Sequence, residues 1–370
     1  MRCEVLIAGG GPAGLAAAIA LRQRGADVLV ADSLRPPINK PCGEGLMPDS
    51  RRELARLGIE LDSRSGAEFR GILFADAESG VSAEFPHGVG LGVRRPVLHR
   101  LLLERAAQLG VRMLWNTPVI LKDSQPLQLA GQSCAHRWLI GADGHVSRVR
   151  AWAGLDAASL RSRRFGFRAH YRIAPWSPYV EVHWGALGQA YITPVGPEAI
   201  CVAAMSREPG VRLQEVLESI PFLREKLAGV ETMTPERGAL TLTRRLHRVT
   251  RDNVALVGDA SGSADAITGE GLAMGFRQAL LLAESLEAGG LEHYAAKHAR
   301  ILALPQRMAA LMLLLDRAPW LRGRTLRALA ARPKLFAEML AVHVGEQPLP
   351  RFVLRHGAEL GALLLAPRLV

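Results

Sequence analysis

One stretch constrains the fold more than any other: residues 3–33, CEVLIAGGGPAGLAAAIALRQRGADVLVADS. Residues 3–8 read as a buried strand, Ala16 to Arg24 as a helix, and ADVLVAD as a second strand ending at Asp32. Gly9, Gly11 and Gly14 make G-x-G-x-x-G in the turn between them, with Pro12 and Ala13 filling it. Each glycine has a physical task. Gly9 permits the tight turn, Gly11 lets a pyrophosphate reach the backbone, and Gly14 lets helix and strand pack closely. The helix amino terminus offers free N–H groups and a positive dipole end. Asp32 stands 18 residues after Gly14, where a carboxylate meets ribose hydroxyls. An α/β protein with a Rossmann-like dinucleotide-binding domain follows. This stretch alone fits NAD and FAD equally.

Two later segments repeat the strand–turn–helix form. WLIGADGHVSRVR, residues 138–150, turns at Asp143-Gly144. The segment from Arg251 to Leu286 turns at Gly258-Asp259 and enters a long helix through TGEGLAMG. Asp259 is placed to hold a sugar or ribityl hydroxyl. Gly269, Glu270 and Gly271 lie at a helix start, where backbone N–H groups stabilise an anion by about 1.5–3 kcal/mol each. These three landmarks, in this order, resemble the FAD-dependent oxidoreductases built like p-hydroxybenzoate hydroxylase. That superfamily shows the fingerprint, a G-A-D-G-x-x-S-x-V-R segment and a G-D segment, here Gly9 to Gly14, Gly141 to Arg150 and Gly258-Asp259. RRPVLHRLLLERAAQLGV, residues 94–111, resembles the helix that follows an FAD-contacting arginine. Arg95 takes that place, and His99 stands where many members have Asp. The resemblance implies non-covalent FAD held by Gly9, Gly11, Pro12, Ala13, Gly14, Asp32, Arg95, Asp143, Gly258, Asp259, Gly269, Glu270 and Gly271. For Asp143, contact through the turn it fixes is the alternative to direct contact.

NKPCGEGLMPD, residues 39–49, is similar to the Pro-Cys loop of the geranylgeranyl-reductase-like branch, as is TGEGL. The loop is expected beside the flavin, with Cys42 and Gly43 at the ring. Cys42 and Glu44 are the candidate catalytic residues. The alternatives are a filler cysteine and a solvated loop carboxylate. The aromatic-rich strand of standard prenyl reductases is reduced here to Tyr191 and Pro194, and the features expected of a halogenase are missing.

The FAD domain is expected to be discontinuous, over residues 1–65, 93–160 and 245–290. The intervening segments, 66–92 and 161–244, alternate apolar and polar residues between Pro and Gly turns. They should form an inserted antiparallel β-sheet substrate domain. His170, His183, Trp184, Tyr191 and Pro194 are its candidate wall residues, of which strand alternation turns about half away. Residues 291–370 read as a C-terminal helical region with apolar stripes among arginines.

The implied activity is reduction of a C=C bond in a hydrophobic isoprenoid or polyketide-like substrate, by hydride from reduced flavin. The alternative is monooxygenation of an aromatic or polyketide-like substrate through a C4a-hydroperoxide. Halogenation ranks third, ahead of a non-enzymatic flavin-binding role. One nucleotide fingerprint implies that NAD(P)H docks transiently or that an outside donor reduces the flavin. Net charge is +11, but the basic residues are scattered without a nucleic-acid motif, so a nucleic-acid partner is not expected. The charge suits an acidic cofactor, a carrier protein or a membrane surface. Cys3, Cys42, Cys134 and Cys201 show no metal spacing, so no metal is expected. A cytoplasmic protein is the expectation, its C-terminal apolar stripes being mostly packing surfaces, with interfacial membrane contact as the alternative.

Overall fold

A computed structural model describes residues 1–123 and 125–365, without the side chains of Arg161, Leu364 and Leu365. The last five residues of the expected C-terminal helical region lie outside the described residues. The architecture is the expected α/β one. A six-stranded sheet runs in the order Thr250–Arg251, Val254–Leu256, Trp138–Gly141, Val5–Ala8, Val28–Ala31, Arg112–Leu114. All its pairs are parallel except the first. Val5–Ala8 and Val28–Ala31 are buried at every position, as strands covered on both faces must be. Helix Pro12–Arg22 packs against this sheet through Leu15 and Ile19. Four alanines, Ala16, Ala17, Ala18 and Ala20, are fully buried and let helices Arg95–Gln108 and Gly271–Glu287 approach it.

The sheet order explains how distant motifs meet. Val254–Leu256, Trp138–Gly141 and Val5–Ala8 are neighbours running the same way. The loops after them, carrying Asp259, Asp143 and the glycine fingerprint, therefore leave the same edge, where open α/β sheets bind ligands.

The second sheet has seven strands: Arg237–Leu246, Ala158–Tyr171, Ala199–Ser206, Gln189–Gly196, Tyr179–Trp184, Gly71–Ala75 and Gly80–Glu84. It is antiparallel except where Gly71–Ala75 pairs in parallel with Tyr179–Trp184. These two strands come from the separate segments 66–92 and 161–244, so no hairpin dictates their direction. The boundaries at 160/161 and 244/245 fall inside the strands Ala158–Tyr171 and Arg237–Leu246, whose pairing shifts register between Leu160 and Ser162. A small antiparallel sheet, Gly45–Leu46, Gly90–Gly92 and Ala67–Phe69, anchors the cysteine loop beside the larger one.

Helices Glu292–Arg317, Pro319–Ala331, Pro333–His343 and Leu349–Leu365 close the far side. Two of them begin with proline, whose missing N–H costs nothing at a helix start. Leu326, Leu329, Leu335, Phe336 and Leu340 pack with Phe69 and Val81 of the sheets and with Phe85 just beyond strand Gly80–Glu84. Burying such a side chain contributes about 1.5–3 kcal/mol. Among the described residues no helix is long and apolar enough to cross a membrane.

Candidate active site

At the fingerprint, Gly9 has φ +116°, and a Cβ there would strike the Ala142 carbonyl. A Cβ on Gly14 would collide with the Gly9 carbonyl. Gly11 differs: nothing lies within 4 Å of where its Cβ would stand, and it lines the cavity. Asp32 accepts hydrogen bonds from Gly10 N and Leu34 N, both at 2.7 Å, and so ties the second strand to the glycine loop. His99 has no exposure and donates from Nε2 to the Gly10 carbonyl at 2.9 Å. Burial holds its ring below the usual histidine range, so the neutral form braces the loop.

The Asp143 carboxylate accepts from Ser147 Oγ (2.5 Å), Arg148 N (2.7 Å) and Val149 N (3.1 Å). It caps helix Arg148–Trp152, while Ala142, Gly144 and His145 line the cavity. Its side chain thus fixes the turn rather than the cavity wall. Asp259 does line the cavity, with His145 Nε2 3.4 Å away.

Three residues with no sequence motif hold the Gly258-Asp259 turn. Gln278 Oε1 accepts from Gly258 N at 2.7 Å, and Tyr294 donates to the Leu256 carbonyl at 2.6 Å. His298 Nε2 lies 3.0 Å from Ser261 Oγ and 3.3 Å from Gln278 Nε2. Burial pushes the His298 ring down to about 4. The unfolded chain binds this proton near 6.5 and the native one only near 4, so the unfolded state holds more protons in that window. Stability should therefore fall by about 3 kcal/mol on acidification through it. Thermal melts across this window should show a shallower decline in His298→Gln; an unchanged slope would refute the assignment.

The cysteine loop reaches the same cavity through Cys42, Gly43 and Glu44. Glu44 is 2 % exposed with φ +61°. That backbone costs about 1–3 kcal/mol and needs holding. Its carboxylate accepts from Arg95 N at 2.8 Å and lies 2.7 Å from His170 Nε2 and 3.8 Å from Arg168 Nη2. Glu44 is thus a latch between loop and sheet, not a solvated carboxylate. Cys42 Sγ accepts from Glu44 N at 3.4 Å, and the Cys42 carbonyl receives Cys201 Sγ at 3.7 Å. Glu44, His170 and Cys201 lie close enough to hold a metal ion. The Arg168 guanidinium already supplies a positive charge there, and burial pushes the Cys201 thiol well up, away from the thiolate a metal needs.

Gly269 (φ +70°) and Gly271 line the cavity with open space where a Cβ would stand. Glu270 between them is not in the wall; its carboxyl is buried toward His343. Of the substrate candidates, Tyr191 is in the wall, with its hydroxyl 3.1 Å from the Ile267 carbonyl. Thr193, Val180 and Val182 share the cavity side, so alternation turns Pro194 and His183 away. His183 instead pairs with Glu181 at 2.7 Å and stacks on Phe222. Trp184 packs edge-on against Phe74, behind the wall. His170 serves Glu44 from behind it.

The cavity measures about 800 Å³. From the glycine loops it passes the cysteine loop and continues as an apolar arm among Met312, Leu315, Leu326, Leu329, Phe336 and Met339. Leu311 and Leu314 line it while remaining 40 % and 50 % exposed, so they mark a mouth. The polar end fits FAD on its own terms. Gly11, Gly269 and Gly271 leave backbone open, Gly11 caps a helix amino terminus, and the buried Arg95 Nε has no partner.

The family model described as FAD binding domain matches residues 2–168. The menaquinone reductase of Mycolicibacterium smegmatis is 27 % identical over 358 residues, covering 85 % of each chain. The digeranylgeranylglycerophospholipid reductase of Methanosarcina mazei is 28 % identical, covering 73 % of this chain and 71 % of its own. The flavin-dependent brominase Bmp2 superposes with a TM-score of 0.81 at 17 % identity, covering 97 % of this chain and 98 % of its own; that likeness concerns the fold alone.

Proposed function

We propose, for a chain that belongs to the p-hydroxybenzoate hydroxylase-like superfamily of FAD-dependent oxidoreductases, the reduction of a C=C bond in a lipid-tailed isoprenoid, with a prenylated quinone as the substrate class. The observation that carries this reading is the apolar arm joining the FAD end of the cavity to the C-terminal helices. An extended hydrocarbon chain gains about 0.8 kcal/mol for each CH₂ it buries there. A polar aromatic substrate would gain little from it. The two reductases reported above point the same way.

Bound FAD supplies the hydride chemistry. The protein supplies the rest: the glycine loops seat the dinucleotide, Glu44 fixes the cysteine loop against it, and the apolar walls keep water from the reacting bond. NAD(P)H docking briefly, or an outside donor, would recharge the cofactor.

The mouth suggests how a lipid-tailed substrate arrives. Leu311 and Leu314 line it, Trp320 (65 % exposed) opens the next helix, and Arg307 and Arg317 are exposed on the same helix as the leucines. With a net charge of +11, this rim suits an anionic membrane surface.

The test offers menaquinone in vesicles to anaerobically reduced holoenzyme. Mass spectrometry should find one prenyl unit saturated. Turnover should be faster in anionic than in zwitterionic vesicles, with the difference lost at high salt. A product that needs oxygen and gains an oxygen atom would replace this reading with the monooxygenase one. Equal rates in both vesicles would remove the membrane contact.

A further inference from the structure

We propose that Glu270 and His343 hold one proton between them and that His343 delivers it to the substrate, a role that rests on the double-bond reduction read above. Glu270 is 1 % exposed, and neither carboxyl oxygen has a hydrogen-bond partner. His343 ends helix Pro333–His343 and lines the cavity where the apolar arm begins. Its Nδ1, also without a partner, stands 3.7 Å from Glu270 Oε2. A buried polar group left unpaired is destabilising, so two of them facing each other stand at a cost that apolar side chains would not incur.

The surroundings favour a mobile proton. Burial pushes the Glu270 carboxyl up, His343 pulls it back, Asp49 raises it again, and Arg277 and the neighbouring Thr268 hydroxyl lower it. Asp49 is itself paired with Arg277, and Arg277 Nε also reaches Glu53 at 3.6 Å. The carboxyl end of a helix favours a cation at His343, while the helix start at Glu270 favours an anion. The pair can stand as neutral carboxyl with neutral imidazole or as carboxylate with imidazolium. Both states carry one proton. Of the carboxylates that line this cavity, Glu44 is committed to Arg95 N, His170 and Arg168, and Asp259 sits by His145 among the glycine loops.

The chemistry balances. Saturating a C=C bond takes a hydride, which brings both electrons from the reduced flavin, and one proton. His343 gives the proton to the carbon that the hydride does not reach; an N–H bond breaks and a C–H bond forms. That leaves neutral imidazole beside the Glu270 carboxylate, and the pair takes its next proton from water. His343 is the catalytic residue here, and Glu270, whose carboxylate holds the imidazolium, is the positioning residue.

Holoenzyme reduced anaerobically and mixed with menaquinone should show flavin reoxidation with a solvent deuterium isotope effect. In His343→Gln that rate should fall by roughly 10²–10⁴-fold. The flavin spectrum, FAD affinity and menaquinone affinity of the oxidised enzyme should hold. A rate within about threefold of wild type would overturn the assignment, judged against that same general-acid scale. So would a loss traced to weaker FAD or menaquinone binding. Glu270→Gln, near-isosteric, should slow the same step, and an unchanged rate there removes Glu270 even if His343→Gln fails to fold. A second readout needs no turnover. By NMR of oxidised holoenzyme, the His343 ring should titrate at lower pH in Glu270→Gln than in wild type; a titration that stays put overturns the shared proton. Wild-type enzyme that reduces no prenyl double bond would sink the reductase reading and the delivery step together, while the NMR titration would still decide the pair.

Discussion

Gly11→Val should give a folded protein that purifies without FAD. The position has ordinary extended backbone (φ −71°, ψ 177°), so a branched residue introduces no backbone strain. Nothing lies within 4 Å of the added Cβ, so no neighbour has to move. The new methyl groups instead fill the open side of the loop, where the pyrophosphate must touch the backbone. Losing one or two charge-assisted hydrogen bonds costs about 1.5–3 kcal/mol each, which weakens FAD by roughly ten- to ten-thousandfold. Gly14→Ala makes the contrast. Its Cβ collides with the Gly9 carbonyl, so it should lower the melting temperature even without FAD. Flavin absorbance per protein and apo-protein melting separate the two. Full FAD occupancy in Gly11→Val would show that the dinucleotide does not lie along this loop.

That contrast also shows what a sequence can and cannot reveal. The fingerprint was legible because its meaning is local: three glycines, a strand and a helix within thirty-one residues. The meeting of Gly9, Asp143 and Asp259 at one edge followed from parallel strands, and the strand order supplies the reason. Gln278, His298 and Tyr294 were invisible, because on a helix they read as ordinary core-facing side chains and only the fold brings them under the Gly258 turn. The phase of His183 and Pro194 depends on which strand face meets the cavity, and a run of alternating residues has two faces to choose from. Glu270 was misplaced for a similar reason. At Gly269, φ +70° turns the chain, and the next side chain leaves the cavity. Glu44 is subtler: its own left-handed backbone, at +61°, carries the carboxylate into the sheet, and glycine neighbours gave no hint of that.

Cys42→Phe should be the most damaging single change in the cysteine loop, and Cys42→Ser nearly silent for binding. Cys42 forms part of the cavity wall, and Glu44, two residues on, is latched by Arg95, His170 and Arg168. The backbone of the loop therefore cannot swing outward to make room. Serine keeps the volume, so FAD should stay bound and only turnover or product pattern can respond. Phenylalanine must place its ring either in the cavity or into the packing behind it. The first course blocks substrate or displaces the flavin, with turnover down at least tenfold and a shifted flavin spectrum. The second breaks the Glu44 latch and costs about 1–3 kcal/mol of overpacking, read as a lower melting temperature. The cavity side is the emptier one, so the kinetic and spectral changes should exceed the thermal one. Flavin spectrum, reduction rate and melting temperature of both variants decide the matter. A melting drop in Cys42→Phe with unchanged spectrum and rates would place the thiol away from the ring and remove the cysteine loop from the chemistry.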